Sequence, residues 1–305
     1  MIARKITSLR VALACAASVM MAAPGMASAQ DLALTWDDLP SHSALPQGDT
    51  RIGVISRIVA ALADAGAPPS YGFINAASVA DTPRVLEIWR ASGNLLGNHT
   101  WSHINLAQTT TEGFLAEVER NEPTLRALSP DADWRWFRYP FLSEGDTMEK
   151  RTAVREWLAA NRYRVASMTL NFDDWAWQET YARCVAKNDQ AAIATLEASY
   201  MKAAADTLGA ARRMSKRLYD REIPLVLLMH VGAFSARMAP QLLTYYRDQG
   251  MRFVPLEQAE ADPFYGPDWR SEASPEPLGL EAAMTNRGLT PERIPQPANL
   301  ATLCR

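Results

Sequence analysis

The sequence lacks features that mark several large classes of protein. It has no clusters of Lys and Arg, and its formal charge at pH 7 is −3, which argues against nucleic acid or anionic lipid as the main partner. Beyond its N-terminal region it has no stretch apolar enough to cross a membrane. It shows no internal repeat. Histidine and cysteine are also scarce, with four and three residues, so the positions of these few are informative.

The N-terminus has the three parts of a signal peptide. A basic region comes first, with Arg4, Lys5 and Arg10. The apolar stretch from 11 to 21 follows and is too short to span a bilayer. Ala27-Ser28-Ala29 then gives the small-x-small pattern read by signal peptidase. We therefore predict a signal peptide at 1–29 and an exported, soluble mature protein, in a periplasm or outside the cell. Removing three basic residues would take the formal charge to −6.

Cleavage would also leave an even number of cysteines. Cys15 would be lost, and Cys184 and Cys304 would remain in an oxidising compartment. We predict a disulfide between them, with two unpaired thiols as the alternative. A lipid anchor on Cys15 is disfavoured because the residue three positions before it is Ala12 and not leucine.

The rest of the chain alternates between short apolar, strand-like runs and stretches with helical periodicity. Such repeated units predict parallel strands with crossover helices, either as a barrel or as an open doubly wound sheet. We predict one α/β domain at 30–261. The alanine-rich segment 191–218 is interpreted as one long or broken helix inserted between two strands. Prolines recur after residue 262, so 262–305 is predicted to be an extended tail packed on the domain.

Two adjacent carboxylates follow the first strand-like run. The segment Leu32–Trp36 is nearly all apolar, as in a buried parallel strand, and Asp37 and Asp38 come directly after it. Parallel α/β folds place their active sites at the carboxyl ends of their strands. On its own, however, Asp-Asp-Leu-Pro is equally typical of a plain turn.

Two of the four histidines stand together at His99 and His103, again after a short strand-like run. If a helical turn begins at Thr100, both imidazoles face one side and can chelate one cation. Two imidazoles and a carboxylate suit zinc, with a fourth position left open for catalysis. The same ligand set serves non-haem Fe(II) oxygenases, so ligand number alone leaves the metal open.

Three further strand-like runs deliver polar residues at their ends. Arg138 precedes a proline that forces extended backbone, and it could hold a carboxylate in its ionised form, or it could stack on Trp136. Asp174 closes another run and could equally be a solvated turn residue. His230 ends the most apolar run after the signal peptide, 223–229, where a lone histidine is more often structural.

Five motifs, in this order, resemble those of the polysaccharide deacetylases of carbohydrate esterase family 4, which share the NodB homology domain. The likeness covers about 32–256. The family's Thr-Phe-Asp-Asp-Gly, His-Ser/Thr-x-x-His, Arg-x-Pro-aromatic, Asp-Trp and Leu-x-His motifs correspond, respectively, to Thr35–Leu39, His99–His103, Arg138–Phe141, Asp174–Trp175 and Leu228–His230. The resemblance implies a distorted (β/α) barrel and a deacetylase acting on N-acetylated glycans.

The resemblance also implies a role for each motif residue. Asp38, His99 and His103 would bind a divalent metal, usually zinc. Asp37 would be the general base for the attacking water. His230 would be the general acid that protonates the departing amine.

The remaining motif residues would support these groups. Arg138 would orient the base, and Asp174 would tune the acid. The backbone N–H of Phe141 would help to bind the oxyanion, and Trp175 and Leu228 would line the pocket for the acetyl methyl group.

The chain departs from the family pattern near its first motif. Leu39 stands in place of the family's glycine, and His42 follows three residues later, where it could face the metal site or substrate or be a plain loop residue. Val231 replaces an aspartate that is frequent among relatives. Other hypotheses are a hydrolase of O-acetyl esters or small cyclic amides, a catalytically silent carbohydrate-binding protein and, least favoured, an Fe(II) oxygenase.

Overall fold

The computed structural model describes residues 29–78, 83–266, 279–292, 294 and 300–305. Seven parallel strands form its single sheet: β1 (Gln30–Leu39), β2 (Tyr71–Ile74), β3 (Leu95–Asn98), β4 (Trp136–Phe137), β5 (Arg164–Val165), β6 (Leu225–His230) and β7 (Met251–Phe253). The helices are α1 (Arg51–Asp64), α2 (Pro83–Ala91), α3 (Thr111–Leu128), α4 (Met148–Ala160), α5 (Gln178–Ala186), α6 (Gln190–Tyr219), α7 (Ala233–Asp248), α8 (Leu256–Ala259) and α9 (Leu280–Asn286).

The first strand, β1, lies inside the sheet. The strands follow the order β5-β4-β3-β2-β1-β6, and β7 pairs with the start of β1. Beyond β5 the chain returns to β6, where Leu170 forms a bridge with Leu227 and accepts a hydrogen bond from Leu228 N. The sheet therefore curls into a half-barrel, and the chain after β5 meets it again at β6, as in the predicted distorted (β/α) barrel. An open doubly wound sheet is excluded.

Helix α1 shows how the sequence specifies the outer layer. The Thr50 hydroxyl caps its start by accepting from Gly53 N, and Gly66 (φ 62°) follows its end. Its buried residues recur with helical spacing: Val54, Ile55, Ile58, Ala61 and Leu62. This face lies against α7 and α2, so one apolar stripe fixes the position of the helix.

The alanine-rich segment forms one continuous helix, α6, of 30 residues. The Asp189 side chain caps its N-terminus, and Asp220 ends it in the left-handed conformation. A disulfide joins Cys184 of α5 to Cys304 near the C-terminus, with the two Cα atoms 5.1 Å apart. The last residues of the chain are thereby attached to the body of the protein.

The segment 262–305 is not extended throughout, contrary to the prediction. Within its described parts, Leu280, Ala283 and Met284 are spaced to bury one helical face, and they form α9 against α6. Residues 267–278, 293 and 295–299 lie outside the described residues, as does the predicted signal peptide apart from Ala29. Among the helices described, none is long and apolar enough to span a membrane.

Candidate active site

Asp37 and Asp38 both face the same cavity, although successive side chains of a strand normally alternate between its faces. The register of β1 against β2 shifts between Trp36 and Leu39, and Asp38 adopts a left-handed backbone (φ 62°). This irregularity turns the second carboxylate inward. Asp37 remains in register with His230 of the neighbouring strand β6. A plain turn is therefore excluded.

The two motif histidines follow β3 in an irregular loop, and no helical turn begins at Thr100 to bring both imidazoles to one side. Thr100 (φ 64°) and His103 (φ 58°) are both left-handed, and Asn98 Oδ1 accepts a hydrogen bond from Thr100 N. This local bond competes with a helical turn and folds the loop back on itself. The imidazole rings still meet, with centroids 4.9 Å apart.

The hydrogen bonding of His99 fixes its tautomer. Its Nδ1 lies 2.7 Å from the carbonyl oxygen of Arg138, and because a carbonyl only accepts, Nδ1 must carry the proton. The lone pair of Nε2 is then free and lies 3.5 Å from Asp38 Oδ1. A backbone carbonyl that orients a histidine in this way is a common feature of metal sites.

Three side chains converge as a metal ligand set. His103 Nε2 lies 3.3 Å from Asp38 Oδ1, and one ligand atom from each of Asp38, His99 and His103 lies within 4.8 Å of the others. Buried Asp38 Oδ1 has no hydrogen-bond partner in the described structure. Burial, together with neighbouring His99, lowers the pKa of His103 to about 4, so its imidazole is neutral at pH 7.

The charge state of Asp38 also suits a cation. Burial alone would raise its pKa, but the hydrogen bond from His42 helps to hold the pKa of Asp38 well below its usual range. An ionised carboxylate therefore faces two histidine nitrogens across a buried gap. This donor set fits a divalent metal, and nitrogen and oxygen ligands of this number are those that zinc prefers.

Arg138 is buried beside Asp37. Its Nη1 lies 3.7 Å from Asp37 Oδ2, and its Nη2 donates to Thr35 Oγ1 at 2.9 Å. The guanidinium packs over Phe73, with its central carbon 5.0 Å from the ring centroid, and the alternative of stacking on Trp136 is excluded because Arg164 occupies that ring. Arg138 thus places a positive charge next to the carboxylate.

His230 forms a tightly bonded pair with Asp174. The prediction that Asp174 ends a strand is wrong. It begins a turn of 3-10 helix (Asp174–Trp177), since left-handed Asp173 (φ 56°) reverses the chain before it. His230 Nδ1 lies 2.7 Å from Asp174 Oδ1, while His230 N and Ser235 Oγ donate to Asp174 Oδ2. Burial opposes the charged imidazole, but the charge and hydrogen bond of Asp174 raise the pKa of His230 to about 9.

The cavity has a volume of about 330 Å³ and an aromatic rim. Phe141 and Trp175 lie on this rim, with 61% and 48% of their surface exposed, and Leu228 lies in its wall. His42 also lines the cavity. The structure thus brings together the predicted metal ligands, the predicted base and acid, and the predicted rim residues. It places Arg138 and Asp174 directly behind Asp37 and His230.

Several supporting residues escaped the sequence analysis. Thr35 bridges Arg138 to the Leu227 carbonyl, and Ser235 donates to Asp174. Asn75 donates to the carbonyl oxygen of His99. Each contact joins distant parts of the chain, so no local pattern signals it. The signal available was the family motif that begins with Thr35.

Comparison with known protein families finds a match in the first half of the chain. The model of the polysaccharide deacetylase family matches residues 25–157, which include the first three motifs. This part of the chain therefore resembles the polysaccharide deacetylase family, as its motifs predicted. Proteins of that family are hydrolases of amide carbon–nitrogen bonds. No curated protein matches the sequence.

Solved structures show the same fold at low identity. A mutant of a CE4 family pseudoenzyme with restored enzymatic activity has a TM-score of 0.52 and 15% identity, covering 76% of this chain and 67% of that one. The wild-type pseudoenzyme from Bacillus anthracis gives 0.53 and 13%, covering 76% and 65%. A mutant of the peptidoglycan deacetylase PdaC from Bacillus subtilis gives 0.50 and 19%, covering 76% and 91%. Since pseudoenzymes share this fold, activity must be argued from this chain's own residues.

Proposed function

We propose that the protein is an exported, metal-dependent deacetylase that hydrolyses the N-acetyl groups of glycans built from N-acetylglucosamine. The observation that carries this proposal is one cavity in which Asp37, the cluster of Asp38, His99 and His103, and His230 face one another. A base, a candidate metal site and an acid are the parts that amide hydrolysis requires. The N-terminal sequence supports export.

A divalent cation, which we propose to be zinc, would be held by Asp38, His99 and His103. It would supply Lewis acidity, polarising the amide carbonyl and making a water molecule more acidic. The remaining chemistry belongs to side chains of this chain. The exposed rings of Phe141 and Trp175 suit the apolar faces of a sugar and its acetyl group.

Asp37 is positioned as the general base. Its Oδ1 is buried and lacks a hydrogen-bond partner within the described part of the chain, while Oδ2 lies near Arg138. Asp37 takes a proton from water as the water oxygen attacks the carbonyl carbon. The backbone N–H of Phe141, at the start of a 3-10 turn, is the proposed donor to the resulting oxyanion.

His230 is positioned as the general acid. With its pKa raised to about 9 by Asp174, the ring is protonated at neutral pH, and its Nδ1 proton is held by that carboxylate. The proton on Nε2 is therefore the one that can be transferred. As the carbon–nitrogen bond breaks, His230 protonates the amine nitrogen, and the products are acetate and a free amino sugar.

Acetate release tests the proposal. The protein spanning residues 30–305 is incubated with N-acetylglucosamine oligomers, with zinc and with a chelator, alongside Asp37→Ala. We expect chelator-sensitive release that falls by about 10²–10⁴-fold in Asp37→Ala, the usual contribution of a general base. Asp31→Ala is the matched control, because Asp31 lies on the same strand but pairs with Arg252 at the protein surface.

Each other outcome points elsewhere. Bound zinc without acetate release from these oligomers would contradict the proposed substrate, and O-acetyl esters and small cyclic amides would be tried next. Absence of both zinc and release would instead favour a carbohydrate-binding protein.

A further inference from the structure

The chain immediately after the metal-ligating aspartate is anchored in the core. Leu39, which stands where the family motif has glycine, is fully buried. It packs against Gly72, where an added Cβ would lie 2.8 Å from Leu39 Cδ2. A larger residue at position 72 would exclude this leucine. The two residues therefore fix the backbone just past Asp38, and the chain then returns over the cavity.

His42 is held above the cavity by two contacts with different strands. Its backbone N–H donates to the carbonyl of Val231, directly after β6, at 2.7 Å. Its ring Nδ1 lies 2.6 Å from Asp38 Oδ2 at the end of β1. The ring also contacts that of His230, with centroids 4.9 Å apart. The metal half of the site comprises the metal cluster with Asp37 and Arg138, and the proton-transfer half comprises Asp174 and His230. His42 therefore contacts both halves.

The hydrogen bond from His42 divides the two oxygens of Asp38 between two tasks. Oδ2 is engaged by His42, whereas Oδ1 faces His99 and His103 at 3.5 and 3.3 Å. Among the described residues, His42 is not in the cluster whose ligand atoms lie within 4.8 Å of one another. Its Nδ1 faces the carboxylate and not the gap between the ligands.

We propose that His42 is a positioning residue for the metal centre. By donating its Nδ1 proton to Asp38 Oδ2, it fixes the carboxylate so that Oδ1 alone serves the cation. Either the neutral Nδ1–H tautomer or the imidazolium can make this bond. The inference rests on the metal site of the proposed function but not on its substrate.

Zinc affinity tests this role without any assay of activity. The metal-free protein is titrated with zinc against a chromophoric chelator for wild type, His42→Ala, His42→Asn and Ser41→Ala. We expect His42→Ala to bind zinc about 10–100-fold more weakly, the usual loss when an outer partner of a metal ligand is removed. His42→Asn should recover most of the affinity, because its amide nitrogen can take the place of Nδ1.

Ser41→Ala is the control on the same loop, since the Ser41 hydroxyl has no hydrogen-bond partner within the described structure. It should keep wild-type affinity, and circular dichroism should show every variant folded. Unchanged affinity in His42→Ala would overturn the inference and leave the proposed function intact. Equal loss in His42→Asn and His42→Ala would also overturn it, since the hydrogen bond would not be the cause. A wild type that binds no zinc would overturn the metal site itself.

Discussion

The two halves of the site treat their buried charges in opposite ways. In the proton-transfer half, both oxygens of Asp174 are bonded, to the His230 ring on one side and to His230 N and Ser235 on the other. In the metal half, buried polar atoms without a hydrogen-bond partner in the described structure are Asp37 Oδ1, Asp38 Oδ1, and Nε and Nη1 of Arg138. We call the proton-transfer half closed, because both oxygens of its buried carboxylate are bonded, and the metal half open, because several of its buried polar atoms have no partner in the described structure.

This difference separates residues that position from residues that bind. Buried polar atoms in folded proteins are almost always bonded, so each exception needs an explanation. The open carboxylate oxygens of Asp37 and Asp38 face one cavity and have the chemistry to meet a cation or water, while the open Arg138 nitrogens lie behind Asp37. The closed carboxylate instead contributes to holding a neighbour in one orientation and one protonation state. Substitutions in the open half should therefore affect function much more than stability. Substitutions in the closed half should affect both.

The largest expected effect is that of Asp38→Asn in the open half. Removal of a ligand charge should weaken zinc binding by more than about 100-fold, beyond the loss for an outer partner. Activity should fall by about 10³-fold or more. The free energy of unfolding of the metal-free protein should fall by less than about 2 kcal/mol at pH 7, because the asparagine lacks the charge that the lowered pKa of Asp38 favours but can still accept from His42. Zinc titration, acetate release and urea unfolding measure these three changes. A large loss of stability would contradict the description of the metal half as open.

The next effect is that of Asp174→Asn in the closed half. The acid works while His230 is protonated, so wild-type activity should decline as pH rises through about 9. Loss of the Asp174 charge lowers the pKa of His230, so the decline should move to lower pH, with a loss of about 10²-fold at pH 8. A pH–rate profile measures this shift. Asp173→Asn is the control, and an equal shift in it would contradict the pairing.

The same pair contributes to stability with a definite sign. The pKa of His230 is raised in the folded protein from an ordinary value of 6.5 to about 9. Its contribution is therefore complete below pH 6.5 and is lost as pH rises through 9. We expect Asp174→Asn to destabilise the protein by about 1–3 kcal/mol at pH 6. Urea unfolding at pH 6 and pH 10 should show the difference shrinking at the higher pH; a constant difference would speak against it.

A smaller effect is expected at the rim, which belongs to neither network. Trp175→Ala should raise KM about 10-fold, corresponding to about 1.4 kcal/mol of lost contact with substrate, and change kcat little. Steady-state kinetics on the oligomers measures both. Ile52→Ala is the control, because Ile52 is equally exposed, at 47%, but lies on α1. An unchanged KM in Trp175→Ala would mean that Trp175 does not contact the substrate.

The smallest effect on activity is expected from Cys304→Ser, which releases the C-terminus from α5. The disulfide closes a loop of 120 residues, and its loss should destabilise the protein by about 2–4 kcal/mol. Activity at 25 °C should remain within about twofold. Urea unfolding with and without reductant measures the change. A loss of activity well below the unfolding transition would instead connect the tail to the site.

The strands and their polar ends were predictable because each is a local pattern. The predicted strand-like run Leu32–Trp36 lies within β1, and Asp37, His99, Arg138 and His230 each lie at or next to a strand end. The rule that parallel strands gather their carboxyl ends then predicts one site. The prediction of a strand before Asp174 was wrong. Between β5 and Asp174 the chain forms no strand, and its bridge to β6 is the isolated one at Leu170.

The networks behind the site were not predictable from local patterns. The bond from Arg138 to Thr35 spans 103 positions in the chain, and that from Ser235 to Asp174 spans 61. Side chains of common type acquire these roles only after the barrel forms. The left-handed turns at Asp38, Thr100 and His103 were also missed, because non-glycine residues rarely adopt them and the surrounding fold must impose them.

The central position of β1 sets the order in which this site can assemble during synthesis. Asp37 is among the first residues of the barrel to be made, yet β1 needs β6, and the Thr35 hydroxyl bonds to a carbonyl 192 positions later. Until His230 has left the ribosome, β1 lacks one neighbour and the aspartate pair lacks its acid. A nascent chain shorter than this lacks both β6 and His230, so the site can be completed only late in synthesis.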